Sequence, residues 1–161
     1  MSPTSKGSKQ DPEPLEDLSS AAFRFAIAAC RFNQEIVDRL LEGALSALEK
    51  TGTRSDAVEI VRVPGAFELP LAAQKLAQNC DAVIALGCVI RGETPHFEYV
   101  SQAAAQGLER VSLDSGTPVG FGVLTTDNRE QAMARAGGDV GNGGYDAAIA
   151  VIEMLQSLRG L

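Results

Sequence analysis

The single histidine of the chain, His96, lies in a run of polar and charged residues that begins at Arg91. Imidazole is the side chain best suited to proton transfer near neutral pH, while arginine and hydroxyl groups bind anions. The apolar segment 82–86 precedes this run, and an amphipathic helical pattern follows it. The run is therefore predicted to be a strand-to-helix turn at the carboxyl end of a strand, where ligands bind in open α/β sheets. His96 is the first candidate for a catalytic acid or base.

The helix start beside His96 gives this turn a second property. Thr94 is predicted as the helix N-cap and Pro95 as the first helical residue. The free N–H groups and partial positive charge of a helix start bind anions and favour the neutral imidazole, which accepts a proton. Glu93 opposes a phosphate site unless its carboxylate points away. A structural histidine that bonds the local backbone is the alternative, and position alone leaves both interpretations open.

Two other turns are expected at the same edge of the sheet. Residues 63–70 (VPGAFELP) follow one predicted strand, and Glu68 can accept hydrogen bonds from the N–H groups of a polar ring. Residues 31–33 (RFN) follow another, and Phe32 can stack on a planar ligand. Each residue has a structural alternative, with Glu68 stabilising a helix start and Phe32 plugging a helix entrance.

Arg135 lies near the end of a predicted short helix, directly before the glycine-rich loop 137–144. Such an arginine either clamps an anion or complements the helix C-terminus. The loop has no G-K-[ST] sequence, and no G-x-G-x-x-G follows the first predicted strand. The sequence therefore offers no nucleotide-binding motif.

Composition limits the classes of function. Among 161 residues, 14 basic and 21 acidic side chains give a net charge of −7, which argues against a nucleic-acid-binding protein. Three cysteines without a C-x-x-C pair, together with one histidine, make a metal site improbable and indicate reduced thiols in a cytoplasmic protein. The sequence shows no signal peptide and no apolar stretch of membrane-spanning length.

The hydrophobic pattern predicts a proline-containing flexible tail over residues 1–20 and one domain over residues 21–161. Alternation of strands and helices favours an α/β fold, a three-layer αβα sandwich with a four-stranded parallel sheet of order 2-1-3-4, as in flavodoxin-like proteins. Alanines 103–105 suit close helix packing and hence oligomerisation. Strands are predicted at 23–30, 57–63, 81–90 and 119–124, and helices at 33–50, with Asn33 as N-cap, 67–78, 94–113, 128–136 and 145–158.

Taken together, these segments resemble the 6,7-dimethyl-8-ribityllumazine synthase family over roughly residues 22–158. The combination and order of the matching segments are specific, although no single one is. The segments are RFN (31–33), VPGAFELP (63–70), ALGCVIRGETPHFEYV (85–100), PVGFGVLTT (118–126), EQAMARAG (130–137) and GN (141–142).

The resemblance implies a transferase of riboflavin biosynthesis. It would condense 5-amino-6-(D-ribitylamino)uracil with 3,4-dihydroxy-2-butanone 4-phosphate, releasing phosphate and water, without a cofactor or metal. His96 matches the family's general acid/base, Phe32 the aromatic stacked on the pyrimidine, and Glu93 and Thr94 the pair near the phosphate. The pyrimidine and ribityl site is matched by Ala66, Phe67, Glu68, Cys88, Val89 and Ile90.

The resemblance also implies a homo-oligomer. Phe121 and Arg135 match residues that a neighbouring subunit donates, so that active sites lie between the subunits of a pentamer. Many members assemble pentamers into an icosahedral shell; pentamer, decamer and shell remain alternatives here. Riboflavin synthase is an expected protein partner.

One segment departs from the family pattern. Many members have a loop like G-T-K-x-G-N-K-G, whereas this chain has Asp139 and Gly143 at the two lysine positions. The hypothesis that follows is a weaker affinity for the phosphate of the substrate. A shell-forming or lumazine-binding protein that has lost most activity is the alternative function. An electron carrier would need a phosphate loop after the first strand, which residues 31–33 do not provide.

Overall fold

A central parallel sheet organises the protein, whose computed structural model describes residues 17–161. The strand order β2-β1-β3-β4 and the three-layer flavodoxin-like arrangement confirm the predicted fold. All three strand pairs are parallel. The strands are β1 (Phe25–Cys30), β2 (Val58–Val63), β3 (Ala82–Ile90) and β4 (Val119–Thr126).

Helices cover both faces of the sheet. The helices are α1 (Gln34–Lys50), α2 (Leu69–Leu76), α3 (His96–Ser115), α4 (Arg129–Ala134) and α5 (Gly143–Leu158). Helix α1 packs on α5, and α2 packs on α3. The two inner strands consequently carry continuous apolar sequences, and all six residues of β1 are buried.

The start of α3 differs from the prediction. The helix begins at His96, Pro95 occupies the N-cap position, and neither Pro95 nor Thr94 makes a side-chain cap. Pro95 has helical φ but a ψ of 5°, which lies outside the helical region. The prediction that Thr94 caps this helix was therefore wrong, and His96 itself is the first helical residue.

The glycine-rich loop contains more structure than the sequence predicted. Two short antiparallel strands, β5 (Ala136–Gly138) and β6 (Gly141–Asn142), form a hairpin there. The Asn142 side chain accepts hydrogen bonds from the N–H groups of Gly144 and Tyr145 at 2.9 and 3.1 Å. This cap starts α5 at Gly143, two residues earlier than predicted.

The N-terminal boundary of the domain involves Ser20. This last residue of the predicted tail is fully buried, and its hydroxyl lies 2.7 Å from the Thr51 hydroxyl. Residues 1–16, which make up most of that tail, lie outside the described part of the chain. None of the helices in residues 17–161 has the length and apolar character needed to cross a membrane.

Candidate active site

A cavity of about 800 Å³ opens at the carboxyl edge of the sheet, beside the ends of β1, β2 and β3. Parallel strands place the loops that follow them at one edge, and this geometry collects residues from three distant segments of the sequence. The lining residues are Phe32, Pro64, Gly65, Ala66, Phe67, Glu68, Cys88, Val89, Ile90, Gly92, Thr94, His96, Phe97, Tyr99 and Val100.

His96 lines this cavity from the first turn of α3 and is exposed to solvent. Thr94 and Gly92 line the same side, where the chain passes from β3 into the helix. The imidazole is thus accessible to a bound ligand and close to the helix N-terminus. The arrangement can support proton transfer to or from a ligand in the cavity.

Two exposed phenylalanines also line the cavity. Phe32 is 72% exposed and Phe67 is 66% exposed, although both are large apolar side chains. The Phe32 N–H donates to the Pro64 carbonyl at 3.0 Å, and the Arg31 N–H donates to the Val63 carbonyl at 2.8 Å. These backbone bonds hold the two aromatic-bearing loops side by side, in a position to stack on a planar ring.

Glu68 lines the cavity but also has a local structural role. Its Oε2 accepts a hydrogen bond from the Gly65 N–H at 3.1 Å. This bond lies at the start of a short 3₁₀ turn, Ala66–Glu68, which precedes α2. This turn replaces the beginning of the predicted helix 67–78. One carboxylate oxygen of Glu68 therefore stabilises the start of this turn, which was the structural alternative to ligand binding. The side chain nevertheless remains exposed at the cavity.

The end of β3 forms the floor of the cavity with Cys88, Val89 and Ile90. Burial raises the pKa of the Cys88 thiol to about 11, so the sulfur is protonated at neutral pH and is a poor nucleophile. Cys88 therefore contributes apolar surface to the cavity rather than a reactive thiolate.

Three predicted site residues lie outside the lining of this cavity: Glu93, Phe121 and Arg135. Phe121 is 48% exposed on β4, which is an edge strand of the sheet. It borders a shallow depression between β4 and α3. Arg135 is exposed at the end of α4, and its Nη1 donates to the Gln131 carbonyl at 3.0 Å. Glu93 precedes His96 by only three residues, whereas Phe121 and Arg135 belong to β4 and the end of α4 and do not line the cavity that contains His96.

Sequence reasoning missed several lining residues on α3, including Phe97, Tyr99 and Val100. Tyr99 and Val100 follow His96 by three and four positions, which places them on the same helix face. That spacing was available in the sequence and could have found them. Among residues 17–161, no three His, Cys, Asp or Glu side chains gather as a metal site would require.

Comparison with known proteins identifies the family of this chain. The family model described as 6,7-dimethyl-8-ribityllumazine synthase matches residues 22–159. A protein of that name from Syntrophus aciditrophicus (strain SB) is 55% identical over 144 residues, covering 88% of this chain and 94% of the relative. Another of that name, from Nitratidesulfovibrio vulgaris (strain DP4), is 52% identical over 146 residues, covering 89% and 94%. The chain therefore belongs to the 6,7-dimethyl-8-ribityllumazine synthase family.

Proposed function

We propose that the protein is a lumazine synthase, a transferase of riboflavin biosynthesis that condenses 5-amino-6-(D-ribitylamino)uracil with 3,4-dihydroxy-2-butanone 4-phosphate. The observation that carries this proposal is the position of His96, the only histidine, in a cavity that Phe32 and Phe67 also line. Exposed aromatic side chains of this kind can stack on a planar pyrimidine. Family membership supplies the reaction.

The reaction proceeds through steps that need proton transfer and positioning more than a strong nucleophile. The amine of the pyrimidine attacks the ketone, and loss of water leaves an imine. Loss of a proton from C3 and of phosphate from C4 then gives an enol, whose tautomerisation turns the C3 hydroxyl into a new carbonyl. Attack of the ribitylamino nitrogen on this C3 carbonyl closes the ring with loss of a second water. His96 is proposed to move the protons in these steps as a general acid and base.

The proposed pyrimidine and ribityl site consists of Phe32, residues 66–68 and residues 88–90. Main-chain groups of residues 66–68 and 89–90 would bond the ring and the ribityl hydroxyls, whereas the Cys88 carbonyl already accepts a hydrogen bond from Asn33. Thr94 and Glu93 are proposed to lie near the phosphate, where the start of α3 supplies N–H groups.

The complete site is proposed to form between subunits of a pentamer or larger homo-oligomer. Phe121 and Arg135 are exposed and lie off their own subunit's cavity, as residues donated to a neighbour would. Arg135 would bind the substrate phosphate with a charge-assisted hydrogen bond. Riboflavin synthase, which consumes the product, is the proposed protein partner, and the free thiols of Cys30, Cys80 and Cys88 support a cytoplasmic location.

The test is to mix the purified protein with both substrates and follow the fluorescence of the lumazine product above the spontaneous background. His96→Asn keeps a polar side chain of similar size but cannot transfer protons, and we expect its kcat to fall by about 10²-fold. Wild-type protein that assembles correctly but produces only background product would contradict the proposal and favour the shell or binding function.

A further inference from the structure

We propose that Arg91 is a positioning residue, which holds the first turn of α3, and with it His96 and Phe97, against the loop after β4. This inference rests on the proposed function in one respect, that His96 is the group whose position matters. Arg91 does not line the cavity, so it acts through its neighbours.

The first contact joins Arg91 to the neighbouring strand end. Strands β3 and β4 are in register up to Ile90 and Thr126, and the Arg91 N–H continues the ladder with a 2.8 Å bond to the Thr126 carbonyl. Arg91 and Asp127 are therefore adjacent, and the Arg91 Nε donates to the Asp127 Oδ1 at 2.9 Å. The base of the side chain is thereby fixed to the sheet.

The second and third contacts join Arg91 to the helix that begins with His96. Its Nη1 donates to the Glu98 Oε1 at 3.2 Å, and its Cζ lies 4.5 Å from the centroid of the Phe97 ring. Phe97 lines the cavity, and Glu98 lies two residues after His96. One planar guanidinium thus bridges β4 and α3, a geometry that a lysine ammonium cannot reproduce.

This bridge compensates for a missing cap. Pro95, the N-cap residue of α3, has no side-chain group that caps the helix and no N–H to donate. The side chains of Arg91, Glu98 and Asp127 are 46%, 64% and 66% exposed, so these ion pairs contribute little to global stability. Their expected effect is on geometry, because a displacement of about 1 Å at a catalytic group can reduce the rate by about 10²-fold.

The experiment compares Arg91→Gln and Arg91→Lys with Arg110→Gln in the full-length protein. Arg110 is the matched control because it lies on α3, the helix that Arg91 contacts, is exposed and pairs with Asp114 at 3.3 Å, away from the cavity. Steady-state kinetics give kcat and KM. Selective ¹³C labelling of histidine gives an NMR signal of His96 that needs no assignment, since no other histidine is present.

For Arg91→Gln, we expect kcat to fall about tenfold, with KM for the pyrimidine changed by less than about twofold. Arg91→Lys should recover only part of this loss, because an ammonium cannot hold both carboxylates and stack on Phe97. The His96 signal should shift or broaden in both variants and remain unchanged in Arg110→Gln. Asp127→Asn should add little to the loss of Arg91→Gln, as expected for members of one network.

A kcat of Arg91→Gln within twofold of Arg110→Gln, with an unchanged His96 signal, would overturn the proposal. A tenfold fall in the kcat of Arg91→Gln with an unchanged His96 signal would also overturn it, because the effect of Arg91 would then not depend on the position of His96. If the wild-type protein shows no synthase activity, the proposed function fails, whereas the His96 signal still decides whether Arg91 positions the imidazole.

Discussion

The side-chain amide of Asn33 donates a hydrogen bond to the main-chain carbonyl of Cys88 at 2.9 Å. Asn33 occupies the N-cap position of α1, as predicted, but its side chain makes no cap and its φ of 57° lies in the left-handed region. The amide instead joins the loop that carries Phe32 to the end of β3. A residue expected to serve only its own helix therefore connects two sides of the cavity.

Substitution of Asn33 should separate the backbone conformation from the hydrogen bond. Asn33→Gly retains the left-handed conformation and loses the bond, at a cost of about 1 kcal/mol in the free energy of unfolding. Asn33→Ala loses both and should cost about 2 kcal/mol. Urea denaturation at one fixed protein concentration measures both. Equal losses for the two variants would show that the left-handed conformation contributes nothing.

Removal of the Phe32 ring should affect binding more than folding. Because the side chain is 72% exposed, Phe32→Ala should change the free energy of unfolding by less than about 0.5 kcal/mol. Loss of stacking should raise KM for the pyrimidine substrate roughly tenfold. Leu113→Ala is the control, since Leu113 is 75% exposed and lies away from the cavity. If both variants have the same KM, Phe32 does not contact the pyrimidine.

The contact between α1 and α5 tolerates no side chain at Gly144. An added Cβ there would overlap the main-chain carbonyl of Leu40. Gly144→Ala must separate the two helices, and we expect a loss of about 3 kcal/mol or more in stability. Gly92→Ala is the control, because a Cβ at Gly92 meets nothing within 4 Å. Thermal unfolding of the two variants should differ clearly, and similar melting temperatures would refute the close approach.

Buried thiols should make the fold sensitive to alkaline pH. Desolvation raises the pKa of Cys30 to about 12 and that of Cys88 to about 11, from the ordinary thiol value of 9.0. Above pH 9 the unfolded chain loses thiol protons that the folded chain keeps, so stability falls as pH rises, by about 1.4 kcal/mol per pH unit for each thiol. Cys88→Ala should show a shallower decline between pH 9 and 11 than the wild type. Parallel stability curves would contradict this assignment.

Gly143 occupies a position where many members of the family have a lysine, and its lack of charge should limit the affinity for the substrate phosphate. Gly143→Lys adds a cation near the proposed phosphate site and should lower KM for the butanone phosphate by about tenfold. Gly143→Ala controls for crowding, because a Cβ at this position lies 3.2 Å from a methyl group of Leu124. If Gly143→Lys and Gly143→Ala both have the KM of the wild type, the glycine at position 143 does not limit the affinity for phosphate.

The sheet could be predicted from the sequence because apolar strand segments and amphipathic helices alternate regularly along the chain. Continuous apolar runs mark β1 and β3 as inner strands, and right-handed crossovers then leave few orders for four parallel strands. Strand ends were predicted less well. For example, β4 continues to Thr126 rather than residue 124, because it pairs with the whole length of β3.

The parts of the site that escaped prediction depend on contacts between distant residues. Nothing in the sequence near Arg91 indicates that Asp127, 36 positions later, accepts its hydrogen bond. The amide of Asn33 likewise reaches Cys88 across 55 positions. The start of α3 was predicted wrongly for a different reason, since it depends on a local backbone angle, the ψ of Pro95. Residue types and the family resemblance predicted several of the groups that line the cavity, whereas the supporting bonds required the structure.

The central place of β1 has a consequence for synthesis on the ribosome. Its two partners are β2 and β3, so one of its edges stays open until residues 58–63 emerge and the other until residues 82–90 emerge. Throughout that interval the nascent chain presents six consecutive apolar residues, FAIAAC, without a complete sheet around them. Open apolar strand edges recruit other strands, so the nascent chain is exposed to aggregation until residues 82–90 have been translated.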